Sequence, residues 1–159
     1  MSKRKKSVDS TPFLRFLFVV YVAILLWLLF DRPVAQDPLM DYAQKMRENM
    51  NLAPFHTIKS YWAIVKRMDF TPLFFHSVIN LGGNLFLFIP IGYFLPKLWK
   101  MLRSFFPFLL TCTMAIVLIE LLQLVTLLGS LDIDDLILNL FGMLIGYLIF
   151  LISNKRGKK

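Results

Sequence analysis

Four long apolar stretches constrain this chain more than any other feature. Pro12–Phe30 reads PFLRFLFVVYVAILLWLLF, and Leu73–Leu95 reads LFFHSVINLGGNLFLFIPIGYFL; Phe105–Leu128 and Ile133–Ile152 follow. A helix rises about 1.5 Å per residue and the hydrocarbon core of a bilayer is about 30 Å thick, so roughly 20 residues cross it. In lipid the backbone must satisfy its own hydrogen bonds, which leaves helices as the spanning element for runs of this kind. With 159 residues, 57% apolar and only 18% charged, a water-soluble fold lacks the charge to cover its surface. The expectation is an all-α integral membrane protein, a small bundle of four transmembrane helices forming a single domain over residues 1–159. The first run exceeds a signal-peptide core and is followed by DRPVAQDP rather than a small-residue cleavage site, so it reads as a retained helix. Arg15, one turn inside it, has a side chain long enough to snorkel to the headgroups.

Charge placement tests that layout. Four spans put Lys3, Arg4, Lys5, Lys6, Lys97, Lys100, Arg103, Lys155, Arg156, Lys158 and Lys159 on one side. The other side receives Arg32, Lys45, Arg47, Lys59, Lys66 and Arg67 against Asp31, Asp37, Asp41, Glu48, Asp69, Asp132, Asp134 and Asp135. The positive-inside rule then predicts that both termini are cytoplasmic. The net charge of +8 is read as a topology signal and a source of attraction to anionic lipid headgroups, not as a nucleic-acid footprint.

Residues 31–72 form the one sizeable outer segment. Its first half is polar and punctuated by proline. In the second half Ile58, Tyr61, Trp62, Val65 and Met68 recur at helical spacing, with Pro54 and Pro72 bracketing the element. Two readings stand: a short interfacial helix, or a loop draped over the bundle mouth. Trp62 and Trp99 suit interfacial anchors on opposite sides.

Polar residues inside the spans carry the functional information, because a central carboxylate costs roughly 3 kcal/mol to insert. Asn80 and Asn84 are four apart, Glu120 and Gln123 three apart, Asp135 and Asn139 four apart, so each pair shares a helix face. All are expected in the outer half of the bilayer, where with Asp132 and Asp134 they would line one shallow acidic cavity. Asn84 and Asn139 also read as interhelical glue, and Asp132 and Asp134 as the amino-terminal cap of span four. Gly82, Gly83 and Gly92 in span two, and Gly142 and Gly146 in span four, predict close helix contacts, and Pro90 frees a carbonyl near Phe86, as either a kink or a small binding feature. NLFLFIPIGY and NLFGMLIGY share a weak likeness that leaves an internal duplication unproven.

Other chemistry lacks its signals. Cys112 sits in an apolar segment and reads as a small core residue. His56 and His76 have no metal-ligand spacing, and no Walker, dinucleotide, HExxH or GxSxG pattern occurs. No cofactor is evident.

The runs NLGGNLFLFIPIGYFLP, IELLQ and SLDIDDLILNLFGMLIGY, with NLAPFHTI upstream as a PF-x-T-I element, resemble the VanZ-like family of bacterial membrane proteins over Asn51 to Tyr147. Some relatives carry an arginine just before the aspartate run; here Gly129 and Ser130 stand in that region. The resemblance implies that Asn84, Pro90, Glu120, Gln123, Asp132, Asp135 and Asn139 carry any shared function. It also implies an association with low-level teicoplanin resistance. Three functions follow. In the first, Asn80, Asn84, Gln123, Asp132, Asp134 and Asn139 join Glu120 and Asp135 in binding an amphiphile of the outer leaflet, a lipid-linked cell-wall component or a lipoglycopeptide. In the second, an enzyme alters that amphiphile with Glu120 as general base. Asp135 would orient a nucleophile or hold a divalent cation with Asp132 or Asp134. The third is an assembly factor or small transporter, as a homo-oligomer.

Overall fold

A computed structural model describes residues 11–31 and 37–156. Lys3, Arg4, Lys5, Lys6, Arg32, Lys158 and Lys159 lie outside the described residues, as does the side chain of Arg156. The elements run α1 (Thr11–Phe30), α2 (Tyr42–Glu48), β1 (Met50–Asn51), α3 (His56–Arg67), α4 (Pro72–Phe86), α5 (Ile89–Leu98), a 3-10 turn (Lys100–Arg103), α6 (Phe105–Thr126), β2 (Leu131–Asp132) and α7 (Ile133–Arg156). Among the described residues four helical units are long and apolar enough to cross a membrane: Pro12–Phe30, Pro72–Leu98, Phe105–Thr126 and Ile133–Lys155. The protein is a small all-α membrane bundle.

The second unit is broken. Thr71 caps α4 by accepting from the N–H of Phe74, and Pro72 opens the first turn, where its missing N–H is harmless. The helix stops at Phe86 and resumes at Ile89. Pro90 has no N–H to offer the carbonyl four residues back, which is that of Phe86. One residue on, the Leu87 carbonyl accepts from the Tyr21 hydroxyl of α1. The break therefore has a partner waiting for it on another helix.

Glycine sets how α4 and α5 meet α7. A Cβ on Gly142 would lie 2.1 Å from the Leu85 carbonyl oxygen, one on Gly146 2.0 Å from that of Ile89, and one on Gly92 1.9 Å from that of Met143. These backbones touch directly, and only a residue without a side chain permits it. Gly82 differs from the expectation: the nearest atoms to its Cβ position belong to Phe86 of its own helix, at 3.7 Å, so it mediates no close helix contact.

The apolar core sits between α5, α6 and α7, with Phe88, Phe108, Cys112, Ile116 and Met143 buried and Leu25 and Leu29 of α1 closing one side. Phe108 stacks on Tyr147 with centroids 4.4 Å apart, and the Tyr147 hydroxyl donates to the Arg103 carbonyl at 2.6 Å. Phe18 packs on Phe94 and Trp99, while Gln123 at the far end donates to the Leu29 carbonyl. The start of α1, the 3-10 turn and the end of α7 therefore share one end of the bundle, with Lys97, Lys100, Arg103 and Lys155. We call it the basic end.

At the opposite end residues 37–71 form a strap. The alternatives for its second half resolve to a helix: α3 packs along α4, with Tyr61 edge-on to His76 at 5.6 Å, half-buried Ile58, Ile64 and Val65, and exposed Trp62. Its first half contains a helix as well. Asp41 accepts from the N–H of Gln44, the Gln44 side chain accepts from the N–H of Asp41, and the Tyr42 hydroxyl anchors α2 on the Val125 carbonyl at 2.6 Å.

Candidate functional site

Helix α6 ends at Thr126, and Leu127 adopts a left-handed conformation (φ 54°) that turns the chain back on itself. The returning residues Leu131–Asp132 pair in parallel with Met50–Asn51 of the strap, and the Leu131 N–H donates to the Asn49 carbonyl at 2.8 Å. This short bridge lies beside Glu120, about 9 Å along the helix from its end. Glu120 Oε2 accepts the backbone N–H of Asp132 at 3.1 Å. The partner of this buried carboxylate is thus a backbone donor from the next loop.

Asp132 then ties three elements together. Its Oδ1 accepts the N–H of Asp134 at 2.8 Å and so caps α7. Its Oδ2 accepts from the Thr57 hydroxyl at 2.6 Å and from Asn51 Nδ2 at 3.2 Å, and Asn51 Nδ2 also donates to Thr57 Oγ1 at 2.7 Å. Asp134 reaches the other way. Phe55, at the N-terminus of α3, is left-handed (φ 62°) and supplies no side-chain cap. Asp134 replaces that cap in trans: Oδ1 accepts the N–H of Phe55 at 2.5 Å and Oδ2 that of Ile58 at 3.0 Å. Asp134 has no exposed surface. Asp134 therefore caps the strap helix, not span four. Two helix N-termini, those of α3 and α7, meet this group of carboxylates with their positive dipole ends.

A cavity of about 170 Å³ adjoins this knot. It lies between Val117 and Leu121 of α6 and Ile133 and Leu136 of α7, with Leu52 of the strap beside it. Among the described residues Glu120 and Asp132 are its only ionisable lining; Leu131 completes an otherwise apolar wall.

Of the polar membrane residues expected to share one cavity, Glu120 and Asp132 line this one. Gln123 turns to α1, donating to the Leu29 carbonyl at 2.9 Å, with Gly129 packed tightly on its side chain. Asn80, Asn84 and Asn139 belong to the interface of α4 with α7. The register set by Leu85 against Gly142 and Ile89 against Gly146 carries Asn139 to the level of Gly82, between the two α4 asparagines. Asn84 and Asn139 are each 2% exposed, and Asn84 Nδ2, Asn139 Oδ1 and Asn80 Oδ1 have no hydrogen-bond partner. Asp135 is half-buried at the start of α7, within electrostatic reach of Glu120 but outside the cavity lining. Neighbouring helices bury one face each, so pairs legible on a single helix were divided among different neighbours. Asn51 and Thr57 were not singled out from sequence, although both lie in the NLAPFHTI element.

Among the described residues no three side chains of His, Cys, Asp and Glu gather as a metal-binding group. Both oxygens of Asp132 and both of Asp134 accept protein hydrogen bonds.

No curated protein and no solved structure matches the chain. The family model VanZ-LLP1, described as VanZ/LLP1, matches residues 18–154, from within α1 to the last turn of α7, and takes in the whole carboxylate knot and its cavity. With most of its length covered by that match, the chain belongs to the VanZ/LLP1 family.

Proposed function

We propose that this VanZ-family membrane protein binds an amphiphilic component of the cell envelope at its strap end. The strap faces the outside of a bacterial plasma membrane and both termini are cytoplasmic. Charge supports the orientation: by sequence, eleven of the eighteen lysines and arginines fall before the first span, around the turn between the second and third, or at the end of the fourth, and six fall in residues 31–72. The observation that carries the reading is the apolar cavity set directly against the Glu120–Asp132 contact.

An acyl or prenyl segment enters between α6 and α7, and the polar part of the amphiphile lies toward the strap. Buried carboxylates at the inner limit of such a cavity favour a ligand that brings hydroxyl or amino donors. The ligand classes that fit are a lipid-linked envelope component and a lipoglycopeptide, and low-level teicoplanin resistance would follow from capture of the latter. Among the described residues no serine, threonine or cysteine lines the cavity, which favours binding over nucleophilic chemistry.

The test is the binding of acylated glycopeptide and of purified lipid-linked cell-wall precursor to the full chain in nanodiscs. Val117→Trp fills the cavity from its exposed rim and is expected to weaken binding at least about tenfold, as loss of a buried apolar contact of 1.4 kcal/mol or more, roughly, would. Leu118→Trp, at an exposed position outside the lining, is expected to bind as wild type does. Glu120→Gln keeps an acceptor for the Asp132 N–H, so any loss reports the carboxylate itself. Wild-type affinity in Val117→Trp overturns the proposal.

A further inference from the structure

Away from that cavity, two grooves at the basic end run into each other. One, about 730 Å³, follows Phe106, Leu110 and Thr113 of α6; the other, about 470 Å³, lies between Leu95, Trp99 and Lys100. Met101 and Thr111 line both, which makes one continuous trough. Its apolar surface is open, with Phe106 80%, Met101 70% and Leu110 62% exposed. The chemistry changes along its length: an ammonium and an indole at the end of the bundle, a hydroxyl at Thr111, then hydrocarbon along α6.

We propose that this trough seats one anionic phospholipid of the leaflet at the basic end. Its phosphate lies on Lys100, Trp99 lies level with the glycerol, and an acyl chain follows Leu110 toward Thr113. Charge complementarity selects the occupant. No acidic residue occurs anywhere between Asp69 and Glu120, so the cations of this end have no carboxylate within their own stretch of chain. Lys97 donates to the Tyr93 hydroxyl and Arg103 to the Pro96 carbonyl; of the three, Lys100 is the one that lines the trough. A tryptophan half-exposed beside a lysine is the pairing that headgroup depth favours. A zwitterionic lipid offers the same chains and phosphate but no net charge, so the trough is expected to discriminate between the two. The site shares no lining residue with the cavity beside Glu120 and stands independently of the function proposed there.

The experiment is native mass spectrometry of the full chain, released from detergent with equal dioleoyl phosphatidylglycerol and dioleoyl phosphatidylcholine. Wild type is expected to retain phosphatidylglycerol preferentially. Lys100→Gln should lower that retention about fivefold, the worth of one lysine at a charged membrane surface. Leu110→Trp, which blocks the trough at an exposed position, should lower retention of both lipids. Equal retention of the two lipids by wild type overturns the proposal, as does an undiminished preference in Lys100→Gln. A dimer that Leu110→Trp abolishes without changing lipid retention assigns the trough to a second copy of the chain and overturns it too.

Discussion

Asp134 and Ile58 stand 76 residues apart, yet the carboxylate of one accepts the backbone N–H of the other at 3.0 Å. A helix N-terminus leaves several N–H groups without partners, and α3 has no cap of its own in sequence. The strap helix is therefore completed by a side chain from α7, and the fold of residues 55–58 depends on that of residues 132–134.

Asp134→Ala is expected to cost about 2 kcal/mol, the value of a lost cap together with a buried N–H left unpaired. Hydrogen exchange by mass spectrometry should rise across residues 55–60 and stay at wild-type level in α6. Asp134→Asn, which keeps one acceptor oxygen, should fall between the two. Exchange at residues 55–60 that is unchanged in Asp134→Ala would show that the strap is held by other contacts.

Gly146→Ala places a methyl where the Ile89 carbonyl oxygen stands 2.0 Å away, and neither backbone has a rotamer with which to yield. Overpacking of this kind costs about 3 kcal/mol. Gly82→Ala meets only the Phe86 ring at ordinary contact distance, and alanine is the better helix former by about 1 kcal/mol. Thermal unfolding in detergent should separate the pair clearly: a large loss for Gly146→Ala, no loss for Gly82→Ala. Equal losses would mean that the two helices do not touch where their glycines meet.

Asn139→Leu addresses the polar seam between α4 and α7. A buried amide oxygen without a partner costs about 1–3 kcal/mol, so an apolar side chain of similar size should leave stability unchanged or raise it by about 1 kcal/mol. Unfolding midpoints of Asn139→Leu and Asn84→Leu check this. A loss above about 2 kcal/mol in both would reveal that the amides hold a bound group that supports the fold.

The spans were legible because their apolar runs match the thickness of lipid whatever the tertiary arrangement. The break in the second span was legible for a related reason: Pro90 removes a donor in any context, and the helix stops within four residues of it. Helix α2 was missed although Asp41 and Gln44 form a capping box, since seven residues are too few for periodicity to register. The polar membrane residues could be chosen from sequence but not assigned to partners. Helical spacing puts Glu120 and Gln123 on one face of α6; packing then gives Glu120 to the Asp132 loop and Gln123 to α1, a division that only the neighbouring helices decide. The same holds for Asp132 and Asp134. Two positions apart, one caps its own helix and the other a helix of the strap.

Tyr21→Phe tests whether the broken span depends on α1. The hydroxyl donates to the Leu87 carbonyl at the discontinuity between α4 and α5, where regular helix would have supplied an N–H. Removing it leaves a carbonyl without that donor in an apolar setting, at a cost of about 1–2 kcal/mol, while the ring still packs against the core. The expected result is a lower unfolding midpoint with faster exchange at residues 87–91 and none at residues 140–146, which α7 holds through its own backbone bonds. A Tyr21→Phe/Pro90→Ala double variant should recover part of that loss, because alanine restores the N–H that Phe86 lacks and lets the helix run on. If Pro90→Ala gives no recovery, the break is set by the packing of Phe88 in the core and not by the proline.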